Sequence, residues 1–276
     1  MPFGYVLSVT FGGFYCTPAG KLAELGESGV FINVDVNSVG SAGLVMTVAA
    51  REINTLKGTV TLNAASDEDS QYTIGGKRAF LMPATAGEHR GVDYYAKNEY
   101  SRTGDPPDWQ WFVVRKPGVP LLIPVTRREY VQRFRSELGT FNAREFEVLR
   151  ETARQPGESN MPPQLAAFER SQAAYLRAVD DYLKNAGERE LARPVSEPLM
   201  FMPRDPENPS VQFRDGDRVM AFLNPAYMDT ARPAHVPRFI VIQLSARAAR
   251  YPWEKDLRDR MSAGLDFDAL RVLLDK

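Results

Sequence analysis

The sequence predicts an α+β protein, with an antiparallel-rich sheet, helices packed on one side of it and a helical middle segment. Three observations carry this expectation. Alternating apolar and polar residues mark the first 125 positions, apolar residues at three- and four-residue spacing follow Thr126, and an apolar strand stands near the C-terminus. On this pattern the chain divides into a β-rich region over 1–125 and a helical segment over 126–190. A third region, 191–276, holds a proline-rich loop, a strand and closing helices, expected to pack on the same sheet.

The β-rich region opens with Phe3 to Tyr15 (FGYVLSVTFGGFY), followed by Cys16. Two readings stand here. One is the tail of an export signal with Cys16 as a lipid-attachment site. The other is a first strand with a buried free cysteine; the absence of Lys or Arg before the run and the bulky residues before Cys16 weigh for it. Val30 to Val36 (VFINVDV) has the period of a half-buried strand. Leu44 to Ala50 and Thr59 to Leu62 are further short β-forming runs. Thr73-Ile74 and Lys77 to Met82 flank Gly75-Gly76, a hairpin signal because both turn residues tolerate positive φ. Trp109 to Val114 (WQWFVV) predicts a central strand with apolar groups on both faces, and Lys116-Pro117-Gly118 predicts a turn after it.

Thr126-Arg127-Arg128-Glu129 matches a capping box, so a helix is expected from there. Tyr130, Val131, Phe134 and Leu138 form its apolar face, with a separate helical stretch over Arg144 to Arg154. Gln155 to Pro163 reads as a break. Gln164 to Asn185 reads as a second helix, with Leu165, Phe168, Tyr175, Leu176, Val179 and Leu183 on its stripe and Gly187 as its left-handed terminator. Prolines at 194, 198, 203, 206 and 209 indicate a loop. Val219 to Leu223, a turn at Asn224-Pro225, a buried strand over Arg238 to Leu244 and helices from about Trp253 to the end complete the pattern.

Composition narrows the function classes. Lys plus Arg is 34 and Asp plus Glu is 35, a net charge of -1 without the basic excess of a nucleic-acid binder. One cysteine and two histidines leave no Cys-based zinc site, and no metal or cofactor is expected. No apolar run reaches the roughly 18 residues that a membrane-spanning helix needs. The chain lacks G-x-S-x-G, Walker A, H-E-x-x-H and EF-hand patterns.

The candidate ligand-binding residues are therefore drawn from clusters. Tyr94, Tyr95, Tyr100, Trp109 and Trp111 lie close in sequence, and Trp109 and Trp111 share one face of a strand, as a core layer or as a stacking platform for sugars, bases or peptides. His89 sits between Gly87 and Gly91, which reads as a loop tip, and His235 precedes the C-terminal strand. Thr126, Arg127 and Arg128 stand at a helix N-terminus, a natural anion site unless carboxylates pair with the arginines. Carboxylates at Asp205, Glu207, Asp215 and Asp217 read as surface turns, and Asp266 and Asp268 as a helix start.

Two stretches, Gly118 to Phe134 (GVPLLIPVTRREYVQRF) and Leu223 to Leu244 (LNPAYMDTARPAHVPRFIVIQL), resemble phrases found in a group of uncharacterised bacterial proteins, typically exported ones. The resemblance implies an extracytoplasmic location and carries over no catalytic residue. The leading expectation is a non-enzymatic binding or interaction protein for a small-molecule, glycan or protein ligand. The alternatives are a hydrolase using carboxylates or a single histidine, and a structural or assembly component docking through residues 127–185.

Overall fold

The computed structural model describes residues 4–24, 29–39, 44–47, 52–54, 59–61, 73–83, 85–98, 108–153, 161–196, 210–213, 216, 218–228, 233, 235–246 and 252–275. Residues 101–107, most of the proline-rich loop, Tyr100, and the carboxylates at 205, 207, 215 and 217 lie outside these residues.

In chain order the strands are β1 (Tyr5–Phe11), β2 (Phe14–Cys16), β3 (Leu22–Glu24), β4 (Val30–Val36), β5 (Met46–Thr47), β6 (Glu52–Asn54), β7 (Thr59–Thr61), β8 (Thr73–Ile74), β9 (Lys77–Pro83), β10 (Thr85–His89), β11 (Val92–Asn98), β12 (Asp108–Val114) and β13 (Leu122–Pro124). Helices α1 (Arg127–Ala153), α2 (Met161–Asn185) and α3 (Glu188–Leu191) follow, then β14 (Arg218–Leu223), a short 3-10 turn (Pro225–Tyr227), β15 (Ile240–Ala246), α4 (Pro252–Gly264) and α5 (Phe267–Val272). The class is α+β, as the periodicities predict.

The chain folds into two compact units that interleave along the sequence. The first takes Met1–Met46, Met82–Ile123 and Leu223–Lys276; the second takes Thr47–Leu81 and Pro124–Phe222. Boundaries near 125 and 190 therefore mark changes of secondary structure, and only the first lies beside a boundary between units.

The first unit is built on a six-stranded antiparallel sheet in the order β1-β4-β15-β12-β11-β10. Strand β15 lies near the middle, and all seven of its residues are buried. It starts at Ile240, two residues later than the apolar run suggests. One face is apolar: Val34, Ile242, Phe112 and Tyr94 are cross-strand neighbours on it. Phe267 and Leu274 bury against this face, and Met261, Leu265 and Leu270 pack at its margin. Each fully buried large apolar side chain there contributes about 1.5–3 kcal/mol. Asp266 caps α5 by accepting from the Ala269 amide at 2.9 Å. In the terminal 3-10 turn Leu273 is 44% exposed while Leu274 is buried.

Connections in this unit carry the expected turn chemistry. Val119 N–H bonds Lys116 O at 3.2 Å across Pro117 and Gly118, whose φ of 73° suits the third position of the turn. The stretches Gly118 to Phe134 and Leu223 to Leu244 meet here. Tyr227 Oη donates to Val119 O at 2.7 Å, and Asn224 Nδ2 donates to Pro120 O at 2.8 Å. Asn37 adopts φ 58° and is buried; its side chain accepts from Arg238 N at 2.7 Å and donates to Val236 O at 2.9 Å. Cys16 is exposed at the end of β2, so the expectation of a buried cysteine is corrected: β2 pairs with β3 in a two-stranded ribbon apart from the main sheet.

The second unit packs α1 and α2 against a sheet in the order β13-β14-β9-β5, with β8 paired to β9. The C-terminal strand β15 joins β4 and β12 of the β-rich region in one sheet, while Val219 to Leu223 joins this second one. Tyr130, Val131, Phe134 and Leu138 of α1 bury against Tyr175 and Val179 of α2 and against Ala79, Leu81, Met220 and Phe222. The Gly75-Gly76 hairpin forms, with φ of 57° and 76° between paired Ile74 and Lys77. The α1 helix is continuous through Gly139, where two helices were expected; one glycine inside a helix costs only about 1 kcal/mol, and Tyr130, Val131, Phe134 and Leu138 bury the turns before it. The α2 helix begins at Met161, with Pro162 and Pro163 in the first turn where amide donors have no helical acceptor. Gly187 is not a left-handed terminator. At φ -67° and ψ 157° it is extended and opens α3, its carbonyl accepting from Glu190 N and Leu191 N.

Candidate binding groove

The face of the six-stranded sheet opposite α4 and α5 is mixed in chemistry. Strand alternation places Phe31, Asn33 and Asp35 of β4 on it, with Trp109, Trp111 and Val113 of β12 and Gln243 and Ser245 of β15. Register then forms two rows across three strands: Trp109-Ser245-Phe31 and Trp111-Gln243-Asn33.

A groove of about 230 Å³ opens over these rows, lined by Gly29, Phe31, Asn33, Trp109, Gln243, Ser245 and Ala246. Its floor is fixed by a hydrogen bond from Asn33 Nδ2 to Gln243 Oε1 at 2.5 Å. Its wall is Trp109, half-buried and tilted 49° against the buried Trp111 ring at 5.6 Å. The Trp109 Nε1 donor is shielded from solvent and meets no acceptor among the described residues. A donor so placed costs about 1–3 kcal/mol when unpaired. At the end of the groove, the buried Glu254 on α4 accepts from the Gly29 amide at 2.8 Å. Gly29 sits close to the neighbouring strand, where a Cβ would stand 3.0 Å from Phe11 O, a tight contact.

The lining combines two aromatic rings with amide and hydroxyl groups, and none of its residues ionises in the physiological range. It offers stacking and neutral hydrogen bonding, and no general acid, base or nucleophile with an activating partner. Among the described residues, no group of three or more His, Cys, Asp or Glu side chains is placed to hold a metal ion. No helix of the described residues is long and apolar enough to cross a membrane.

The other expected site residues divide between core and ion pairs. Tyr95 and Trp111 are buried at 5% and 1% exposure. Tyr94 packs on the apolar face, 5.4 Å from Phe112, so Tyr94 and Tyr95 point to opposite faces and form no shared platform. His89 is the last residue of β10, next to a two-residue turn in which Arg90 and Gly91 have φ of 51° and 78°. Its ring lies 5.5 Å from Phe112 and 5.9 Å from Tyr94, half-buried rather than at a solvated loop tip. His235 is exposed. Neither histidine makes a hydrogen bond to a carboxylate among the described residues, so the dyad that a histidine hydrolase needs is not formed there.

Thr126 and Glu129 form the capping box in full. Glu129 Oε2 accepts from Thr126 N at 2.9 Å and from its hydroxyl at 2.8 Å, and Thr126 Oγ1 accepts from Glu129 N at 3.2 Å. Both arginines at this helix start are engaged by carboxylates. Arg127 pairs with Glu190 and lies 4.5 Å over the Phe213 ring, and Arg128 grips both oxygens of Glu188 at 2.7 and 2.6 Å. Burial pushes the Glu190 carboxyl up, but its hydrogen bond and charge interaction with Arg127 win and hold it below the ordinary carboxylate value. Burial, with the Glu190 charge beside it, raises the Tyr182 hydroxyl.

A second charged cluster lies in the first unit. Asp93 and Arg115 form a two-point ion pair at 2.6 Å on each arm, and this hydrogen bonding raises the Arg115 pKa. Arg115 also donates to the carbonyls of Lys116 and Val119, so the pair braces the turn that follows β12. Burial raises the Tyr227 hydroxyl beside it.

Sequence reading missed Asn33, Gln243 and Ser245. Their signal was present: Gln243 and Ser245 interrupt the apolar run IVIQLSA at a spacing of two, which places both on one face of the strand. No protein-family model matches the chain, and neither a curated protein nor a solved structure matches it.

Proposed function

We propose that the protein is a non-enzymatic binding protein whose groove takes an uncharged ligand rich in hydroxyl or amide groups, with a glycan ring as the best fit. The observation that carries this reading is Trp109, a half-buried ring over an uncharged floor of Asn33, Gln243 and Ser245. Aromatic faces stack on sugar rings, and neutral amides match hydroxyl groups without the desolvation cost of a charge. At about 230 Å³ the groove is smaller than the roughly 300–1,000 Å³ of drug-sized sites, which suits one ring or a short side chain.

The test is a titration of the whole protein with neutral oligosaccharides and short uncharged peptides, read by tryptophan fluorescence and calorimetry. A saccharide that binds the native protein and is lost in Trp109→Ala, with the fold retained by circular dichroism, supports the reading. Saccharide binding that survives Trp109→Ala places the site elsewhere, and a preference for charged ligands overturns the assignment.

A further inference from the structure

We propose that β1 is a self-association edge, through which two copies of this chain join their sheets by antiparallel β1–β1 pairing. Strand β1 ends the strand order and, among the described residues, pairs along one side only, with β4. All seven of its residues are exposed, including Tyr5 at 53%, Val6 at 51% and Leu7 at 60%. Its ladder with β4 runs without a shift from Tyr5↔Val36 to Phe11↔Val30, so the strand presents its free edge as a regular template.

The two ends of the sheet differ in the devices that block edge pairing. Strand β10 is short, carries Glu88, and has an irregular register between Thr85 and Gly87. Charges and bulges of this kind discourage strand addition. Strand β1 (YVLSVTF) has no charge, no proline and no bulge. One open end and one blocked end produce a closed pair and not a fibre.

Complementarity points to a second copy as the occupant. An antiparallel pairing centred on Ser8 sets Tyr5 against Phe11, Leu7 against Val9 and Val6 against Thr10. These are aromatic, aliphatic and β-branched partners on matched faces, and a neutral strand meets its own copy without like-charge repulsion. A charged peptide finds no counter-charge on β1. The strand alone is narrow beside the roughly 800 Å² per partner of a stable dimer. Phe14 at 59% and Leu22 at 70% exposure extend the apolar surface on the neighbouring ribbon.

Sedimentation velocity on the full chain from about 1 to about 100 µM tests the proposal, because dimer content follows concentration. The expected result is a monomer–dimer equilibrium whose dissociation constant rises at least about tenfold in Leu7→Lys and in Leu7→Glu, and is restored when the two variants are mixed. In a Cys16→Ser background, Ser8→Cys is expected to cross-link the dimer, since directly opposed Cβ atoms stand about 4.5–5.5 Å apart. This arm decides the matter even if the charged variants fail to fold. A native protein that stays monomeric throughout, a dimer indifferent to both Leu7 variants, a Ser8→Cys chain that does not cross-link, or assemblies larger than a dimer each overturn it.

Discussion

Asn33 and Gln243 are joined side chain to side chain at 2.5 Å, although 210 positions separate them in the chain. The bond orients both amides and leaves the floor of the groove neutral. Asn33→Asp removes the donor and sets a carboxylate against the Gln243 carbonyl oxygen. The expected cost is about 1–3 kcal/mol at neutral pH, measured by urea denaturation. Protonating the introduced carboxylate restores a donor, so the deficit relative to native protein shrinks as pH falls through the carboxylate range.

Asn37 holds a left-handed backbone and uses its side chain to bind on both sides of Pro237, at Val236 O and Arg238 N. Asn37→Ala loses those bonds and keeps the strained φ, for an expected loss of about 2–4 kcal/mol. Asn37→Gly relieves the strain alone and is expected to fall between alanine and native in thermal melting. The opposite order would mean that the backbone conformation is not what the side chain secures.

The Arg127–Glu190 pair makes the second unit sensitive to acid. The Glu190 carboxyl is held below its ordinary value, so its stabilisation is present above the ordinary glutamate range and is lost as pH falls through the lowered value. Glu190→Gln is expected to cost about 1–2 kcal/mol at pH 7, with the difference closing toward acid. A difference that is independent of pH would exclude the ion pair as its source.

Thr126 is the hinge of a complete capping box. Thr126→Ala is expected to cost about 1 kcal/mol, and Thr126→Ser much less, since serine supplies the same hydroxyl. Chemical denaturation of the three proteins gives the comparison directly.

What the sequence revealed was local. The alternation in VFINVDV, the Gly75-Gly76 turn and the Thr126–Glu129 spacing each act over a few residues, and each forms where its pattern lies. Partner choice between strands is not local. Nothing in IVIQLSA says that β4 and β12 flank it, or that Val219 to Leu223 joins a different sheet. The Trp109-Trp111 pair was legible as a shared face, but which ring is buried depends on neighbours distant in the chain. Arg127 and Arg128 were readable as an anion site because their partners, Glu188 and Glu190, lie about sixty positions downstream.

The late position of β15 bears on how the molecule is made. This strand separates β4 from β12, yet it is synthesised well after both. At about 5–20 residues per second, a nascent chain on the ribosome carries a finished β4 for roughly 10–40 s before β15 exists. During that interval two strand edges that end up interior, and an apolar face later covered by Phe267 and Leu274, stand open. The second unit waits too, since β14 enters between β9 and β13 about 135 positions after β9 ends, but that unit is complete by Phe222. Biogenesis is thus expected to proceed helical unit first, with the groove-bearing sheet closing only once β15 has been made.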